Sequence, residues 1–151
     1  MIEIREYRPE DKNLVMELFR LNTPDYFSED EEADLDLYLD KYREDYYVLY
    51  FDNQLVGSGG INYEEEGEKA IISWDIFHPE YHGKGLGTKL LKYRIDKILR
   101  QKTANNVLVR TSQVVYKFYQ KFGFRLVETQ KDFWAEGFDL YKMEYLLPTK
   151  T

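Results

Sequence analysis

The sequence predicts one α/β domain over residues 1–151, built as a mixed sheet covered by helices on both faces. Two observations point there. Seven short segments carry the apolar or alternating pattern of strands and four carry apolar residues at helical spacing, the two kinds alternating in the middle of the chain. Toward both ends, strand segments pair as hairpins. At 151 residues and 18.2 kDa the chain is long enough to bury one core without covalent staples.

The elements follow in order. "IEIREYR" alternates apolar and charged residues like a half-buried strand, and "PEDKNLVMELFRL" then repeats Leu14, Val15, Leu18 and Leu21 at helical spacing. Residues 31 to 42, with Leu35, Tyr38, Leu39 and Tyr42, form a second helical pattern entered through acids, which suit a helix N-terminus. "YYVLYFDNQLVGSGGINY" is two strands joined at Asp52-Asn53, residues that tolerate the positive φ of a tight hairpin. "KAIISWDIFH" is a strand stopped by Pro79. A helix then buries Leu86, Leu90, Leu91, Ile95, Ile98 and Leu99. "NVLVRT" is a strand and "SQVVYKFYQKF" a helix with Val115, Phe118, Tyr119 and Phe122 on one side, ended by Gly123. "FRLVETQ" and "FDLYKMEYLL" close the chain as strands.

Composition removes several function classes. The absence of cysteine excludes disulfides, thiol nucleophiles and cysteine-ligated metal centres, and it suits a reducing compartment. Two histidines, His78 and His82, argue against a histidine-rich metal site, so no metal is expected. A net charge of −7 argues against nucleic-acid binding and favours a cationic partner. No apolar run approaches a membrane span, and the N-terminus lacks a signal core, so a soluble cytoplasmic protein without membrane association is expected.

Three of the nine glycines, Gly83, Gly85 and Gly87, fall at alternate positions in "YHGKGLGTKLL", between a strand and a helix. Such a turn is an anion site: unpaired amides and the helix dipole favour negative charge, and glycines let the anion approach the backbone. Two phosphate motifs fail here. Thr88 stands where the dinucleotide fingerprint needs its third glycine, and it separates Gly87 from Lys89, which breaks the P-loop spacing.

"HPEYHGKGLGTKLL" resembles instead the [QR]-x-x-G-x-[GA] signature of the GNAT superfamily of N-acetyltransferases, with His82 in place of the usual Gln or Arg. The resemblance extends to "SQVVYKFYQKFGF", where Tyr119 stands four residues before Gly123-Phe124, to "IREYRPEDKNLVMELF" and to "YYVLYFDNQLVGSGGI". It implies a mostly antiparallel sheet of about seven strands with a splayed central pair, and acetyl-coenzyme A as acyl donor to a primary amine, attacked directly. It further implies that His82, Gly83, Lys84, Gly85, Leu86, Gly87 and Thr88 hold the pyrophosphate. By the same resemblance Asp75, Ile76 and Phe77 bind the pantetheine arm through backbone groups, and Ser112 and Tyr119 contact the cofactor.

Chemistry assigns further roles on that footing. A phenol of pKa ~10 keeps its proton at neutral pH and can protonate a departing thiolate, which makes Tyr119 the candidate acid; the alternative is a packed aromatic. The glutamate that many relatives use as base falls at Ile71. Asp75, on the same strand and by alternation on the same side as Ile71 and Ser73, is the substitute; the alternative is an aspartate tied to backbone or to Arg110. Glu80 and the "EEEGE" loop are more distant candidates. The acidic, tyrosine-bearing stretch "TPDYFSEDEEADLDLYLDKY" would attract a small or peptide amine that is cationic, or is simply a solvated helix. Trp74 and Trp134 face the acceptor or the core. A non-catalytic acyl-coenzyme A sensor of the same fold is the alternative function, and a homodimer through the last strands is compatible with the pattern.

Overall fold

Strand pairing in the computed structural model, which describes residues 1–147, runs β1-β2-β3-β4-β5-β7-β6 across one seven-stranded sheet. The strands are β1 Ile2–Glu6, β2 Asp45–Phe51, β3 Gln54–Glu64, β4 Lys69–Phe77, β5 Asn106–Thr111, β6 Arg125–Ala135 and β7 Phe138–Leu146. Every pair is antiparallel except β4 with β5, which α3 (Leu86–Gln101) connects. The other helices are α1 (Lys12–Leu21), α2 (Glu32–Leu37, continued by a π-helical turn over Tyr38–Tyr42) and α4 (Tyr116–Phe122). At the β2–β3 hairpin Asp52 and Asn53 take φ of 47° and 68°, the primed-turn geometry that matches strand twist.

The sheet carries a core on each face. One holds Val15, Leu18 and Phe19 of α1 and Leu35 and Leu39 against Tyr46, Val48 and Ile76. The other holds Leu86, Leu90, Leu91, Ile95 and Ile98 of α3 with Tyr119 of α4 against Ile72, Val107 and Val109. Two helix faces are rotated from their sequence pattern. Leu14 and Leu21 of α1 are exposed while Met16 and Phe19 are buried, and on α3 Leu99 is exposed while Arg94 is buried. Aliphatic character alone marked those faces, and the true stripes include an aromatic and a charge.

Two irregularities shape the sheet. β4 and β5 pair only from Lys69↔Asn106 to Ile72↔Val109, so they part halfway and leave the β5-facing edge of β4 without a strand partner beyond Ile72. On the other side, Gly60 pairs with Ser73 but Ser58 with Ile76, so β4 carries one extra residue. Trp74, at φ 51°, absorbs it. Strict alternation fails there. Trp74 packs with Ser73's side of the sheet against Phe19, Phe27 and Tyr38, and Asp75 turns to the α3 side.

Gly59 of β3 makes that turn feasible. A Cβ at Gly59 would overlap Asp75 Oδ1 and come within 2.9 Å of Arg94 Nη1. Alanine normally outperforms glycine in a strand. Gly59→Ala is nevertheless expected to destabilise the fold by about 2–4 kcal/mol, because it displaces a buried ion pair; urea unfolding measures it, and an unchanged midpoint would contradict this packing.

Candidate active site

At the parting of β4 and β5 lies a cleft of about 360 Å³. Ile71 to Asp75 of β4 and Val109 to Thr111 of β5 form its floor, with Ser112, Val115 and Tyr119 at the α4 end. Tyr26, Phe27, Glu31 and Tyr38 from the α1–α2 region wall one side, and Asn62 and Glu64 of β3 and Trp134 and Phe138 of the last hairpin complete it. Both tryptophans therefore face the cleft while packing. Trp74 stacks on Phe27 with ring centroids 6.1 Å apart, and Trp134 donates its Nε1–H to the Thr111 carbonyl at 3.0 Å.

Asp75 and Tyr119 meet in this floor. Tyr119 donates its hydroxyl to Asp75 Oδ2 at 2.7 Å, and Arg94 donates Nη1–H to Asp75 Oδ1 at 2.5 Å and to the Gly60 carbonyl at 3.0 Å. The Arg94 side chain is 0% exposed and that of Asp75 9%. Arg94 Nε bonds the Leu90 carbonyl, and Nη2 alone has no partner among the described residues. Burial works against the guanidinium, and Asp75 more than offsets it, leaving Arg94 above its ordinary pKa. Burial first and the Asp75 charge second push the Tyr119 phenol well above 10, so it is neutral at physiological pH.

These contacts correct two expectations. Asp75 does not share a side with Ile71 and Ser73, because the extra residue at Trp74 reverses it, and its partner is Arg94 rather than Arg110. Protonating Asp75 would leave a fully buried guanidinium without its counter-charge, which weakens the case for Asp75 as base. Among the other acids considered, Glu64 of the "EEEGE" loop reaches the cleft.

β4 leads on into the glycine loop. Gly83 and Gly85 take φ of 78° and 80°, and a Cβ on either would meet nothing within 4 Å. Both therefore serve backbone conformation and leave open space beside it. Gly85 caps α3, whose first bond runs from Lys89 N–H to the Gly85 carbonyl, so the amides of Leu86, Gly87 and Thr88 have no acceptor within the helix. Gly87 differs: its Cβ would crowd the Phe118 ring at 3.2 Å, so part of its smallness answers to helix packing. The side chains of Lys84 and Thr88 are exposed, whereas Leu86 and Ile76 are buried and offer only their backbones. Ser112 is buried at the end of β5, its hydroxyl accepting the Val114 N–H at 3.2 Å.

His82 is fastened to the strand end. Its Nε2 lies 2.9 Å from the Phe77 carbonyl, an acceptor, so Nε2 carries the hydrogen and Nδ1 can donate to a phosphate only when the ring is protonated. The same carbonyl accepts Asn22 Nδ2–H at 3.0 Å, and Tyr26 packs edge-on against His82 at 4.9 Å.

A model of the acetyltransferase (GNAT) family matches residues 15–124. The chain belongs to that family. Solved structures share the fold over nearly their whole length. They include the ribosomal-protein-S18-alanine N-acetyltransferase from Escherichia coli (13% identity, 100% of this chain and 97% of that one, TM-score 0.82). Ard1 from Thermoplasma volcanium matches at 19% identity over 98% and 99% of the two chains (TM-score 0.80), and an aminoglycoside 6'-N-acetyltransferase complexed with coenzyme A at 14% over 99% of each (TM-score 0.79). No curated protein matches the chain at a significant level. The GNAT fold supplies the parted strands and the α3 N-terminus. Among the described residues no helix is long and apolar enough to cross a membrane, and no cluster of potential ligands could hold a metal ion.

Sequence reasoning missed Arg94 and Glu31. Arg94 lies four residues from both Leu90 and Ile98, so a charge inside an apolar stripe, matched by an aspartate in an apolar strand, was the available signal. Ser28 and Glu31 have capping-box spacing, and Glu31 does accept the Ser28 N–H, which accounts for it locally without indicating the cleft. Asp75→Asn keeps the shape and removes the charge, and is expected to cost about 3–5 kcal/mol by stranding Arg94. Adding Arg94→Met should recover most of that loss in a double-mutant cycle of denaturant unfolding. A single-variant loss within experimental error would show that the pair is solvated.

Proposed function

We propose that the protein transfers the acetyl group of acetyl-coenzyme A to a primary amine by direct attack. The observation that carries this reading is the gap between β4 and β5, which opens on Tyr119 and leads along β4 into an α3 N-terminus with unpaired amides. The free edge of β4 suits the pantetheine arm, and Gly83, Gly85 and the first amides of α3 suit the diphosphate. A thioester is already activated, so alignment of the amine and stabilisation of the oxyanion supply most of the rate.

Tyr119 is the acid in this scheme. Asp75 holds its hydroxyl at the cleft floor until a thiolate, carrying a full charge, competes for the same proton. Asp75 thereby acts as a positioning residue, anchored in turn by Arg94. The aromatic wall and the net charge of −7 favour a cationic acceptor, and the proposed setting is the cytoplasm.

Thiol release from acetyl-coenzyme A across a panel of small, polyamine and peptide amines, with coenzyme A affinity measured in parallel, tests the reading. Release with an amine supports the enzyme. Tight binding without release would instead identify a sensor, and neither would remove both. Tyr119→Phe should lower kcat by about 10²-fold while coenzyme A affinity stays within twofold; an unaltered kcat would reassign Tyr119 to packing.

A further inference from the structure

Resting on the acetyltransferase reading, we propose that Glu31 accepts the proton of the acceptor's ammonium group. Three carboxylates line the cleft, and of these Glu31 alone is both buried and without a cationic partner among the described residues. Asp11 is buried and paired with Arg5 at 2.8 Å, and Asp75, its side chain 9% exposed, is paired with Arg94 at 2.5 Å. Glu31 is equally buried, 6% exposed, yet has no cationic partner among the described residues; its Oε2 accepts the Ser28 N–H at 2.9 Å. A buried carboxylate without a counter-charge is costly unless something that binds there compensates it.

The surroundings specify what compensates it. Glu31 lines the same cleft as Ser73, Trp74 and Asp75, the stretch of β4 at the parting of the strands. Tyr26, Phe27, Tyr38 and Trp74 stand around that end, π faces that attract a cation and exclude water. No other charged group lining the cleft is both buried and unpaired among the described residues. The Asp75–Arg94 pair is internally neutral, Tyr38 and Tyr119 keep their protons, and Glu64 on β3 and Arg110 on β5 are exposed. Burial first, and then Asp34 of α2, push the Glu31 carboxyl above the ordinary range, with the Ser28 N–H pulling the other way.

The proton balance is complete. An ammonium passes one proton to Glu31, directly or through a water, so two opposite charges become two neutral groups in a low-dielectric cleft. The freed nitrogen pair attacks the acetyl carbon, forming the C–N bond, and collapse breaks the C–S bond with its electron pair leaving on sulfur. Tyr119 gives its proton to the thiolate and regains one from the nitrogen. The products are amide, thiol and a proton on Glu31, which returns to water when the product leaves.

Steady-state kinetics of wild type and Glu31→Gln between pH 6 and 10 test this, with phenethylamine and lysine amide as acceptors. The glutamine can still accept the Ser28 N–H, so the cap survives. Above the Glu31 pKa, wild-type kcat/KM should hold a plateau up to the amine's own pKa, near ~10.4 for a lysine-like amine. The variant should fall about 10³-fold at pH 7, gain about tenfold per pH unit, and approach wild type by pH 10, with coenzyme A affinity unchanged. A deficit that is constant with pH would mark a structural role, and a deficit below threefold would remove any role; either overturns the inference. If the variant does not fold, a wild-type profile climbing without a plateau overturns it equally. Coenzyme A binding without turnover of either amine at any pH would end this inference while leaving the cofactor site; absence of coenzyme A binding would end the transferase reading itself.

Discussion

The guanidinium of Arg94 and the carboxylate of Asp75 meet where neither is tolerable alone, beneath the bulge of β4 and against the inner face of α3. Their attraction has several structural dependents. Gly59 must lack a side chain to admit them, Trp74 must adopt a left-handed backbone to aim Asp75 at them, and the Tyr119 hydroxyl takes its position from the second carboxylate oxygen. An ion pair with this burial does not stabilise a fold relative to a well-packed apolar substitute. On the proposed reading its place at the floor of the cleft is to hold the Tyr119 hydroxyl in position.

Much of the architecture was legible because each element obeys its local period. The hairpin at Asp52-Asn53, the strand "NVLVRT" and the glycine-led α3 appear where their residues place them. What escaped was set by tertiary geometry. One additional residue in β4 inverts every later side chain, and nothing in "KAIISWDIFH" marks it, because tryptophan gives no local cue for positive φ. The rotated faces of α1 and α3 escaped for a related reason: Phe19 and Arg94 were won for the core by partners far away in sequence.

The candidate site divides along the same line. The glycine loop announces itself, since Gly83 and Gly85 carry backbone conformations that other residues resist. Asp75 and Tyr119 could be named from motif position, but their contact joins residues 44 apart and depends on a bulge and on Arg94. Glu31 was concealed by its capping role, one hydrogen bond giving a sufficient local reason for a carboxylate that also lines the cleft.

The carbonyl of Phe77 receives both the His82 ring and the Asn22 amide, so three segments are knotted at one atom: the C-terminal cap of α1, the end of β4 and the entrance to the glycine loop. On the proposed reading the knot makes donor seat and acceptor wall mechanical neighbours. A change at Tyr26, which packs on His82, is therefore felt at the loop, whereas a change at Phe27, which stacks on Trp74, bypasses that carbonyl.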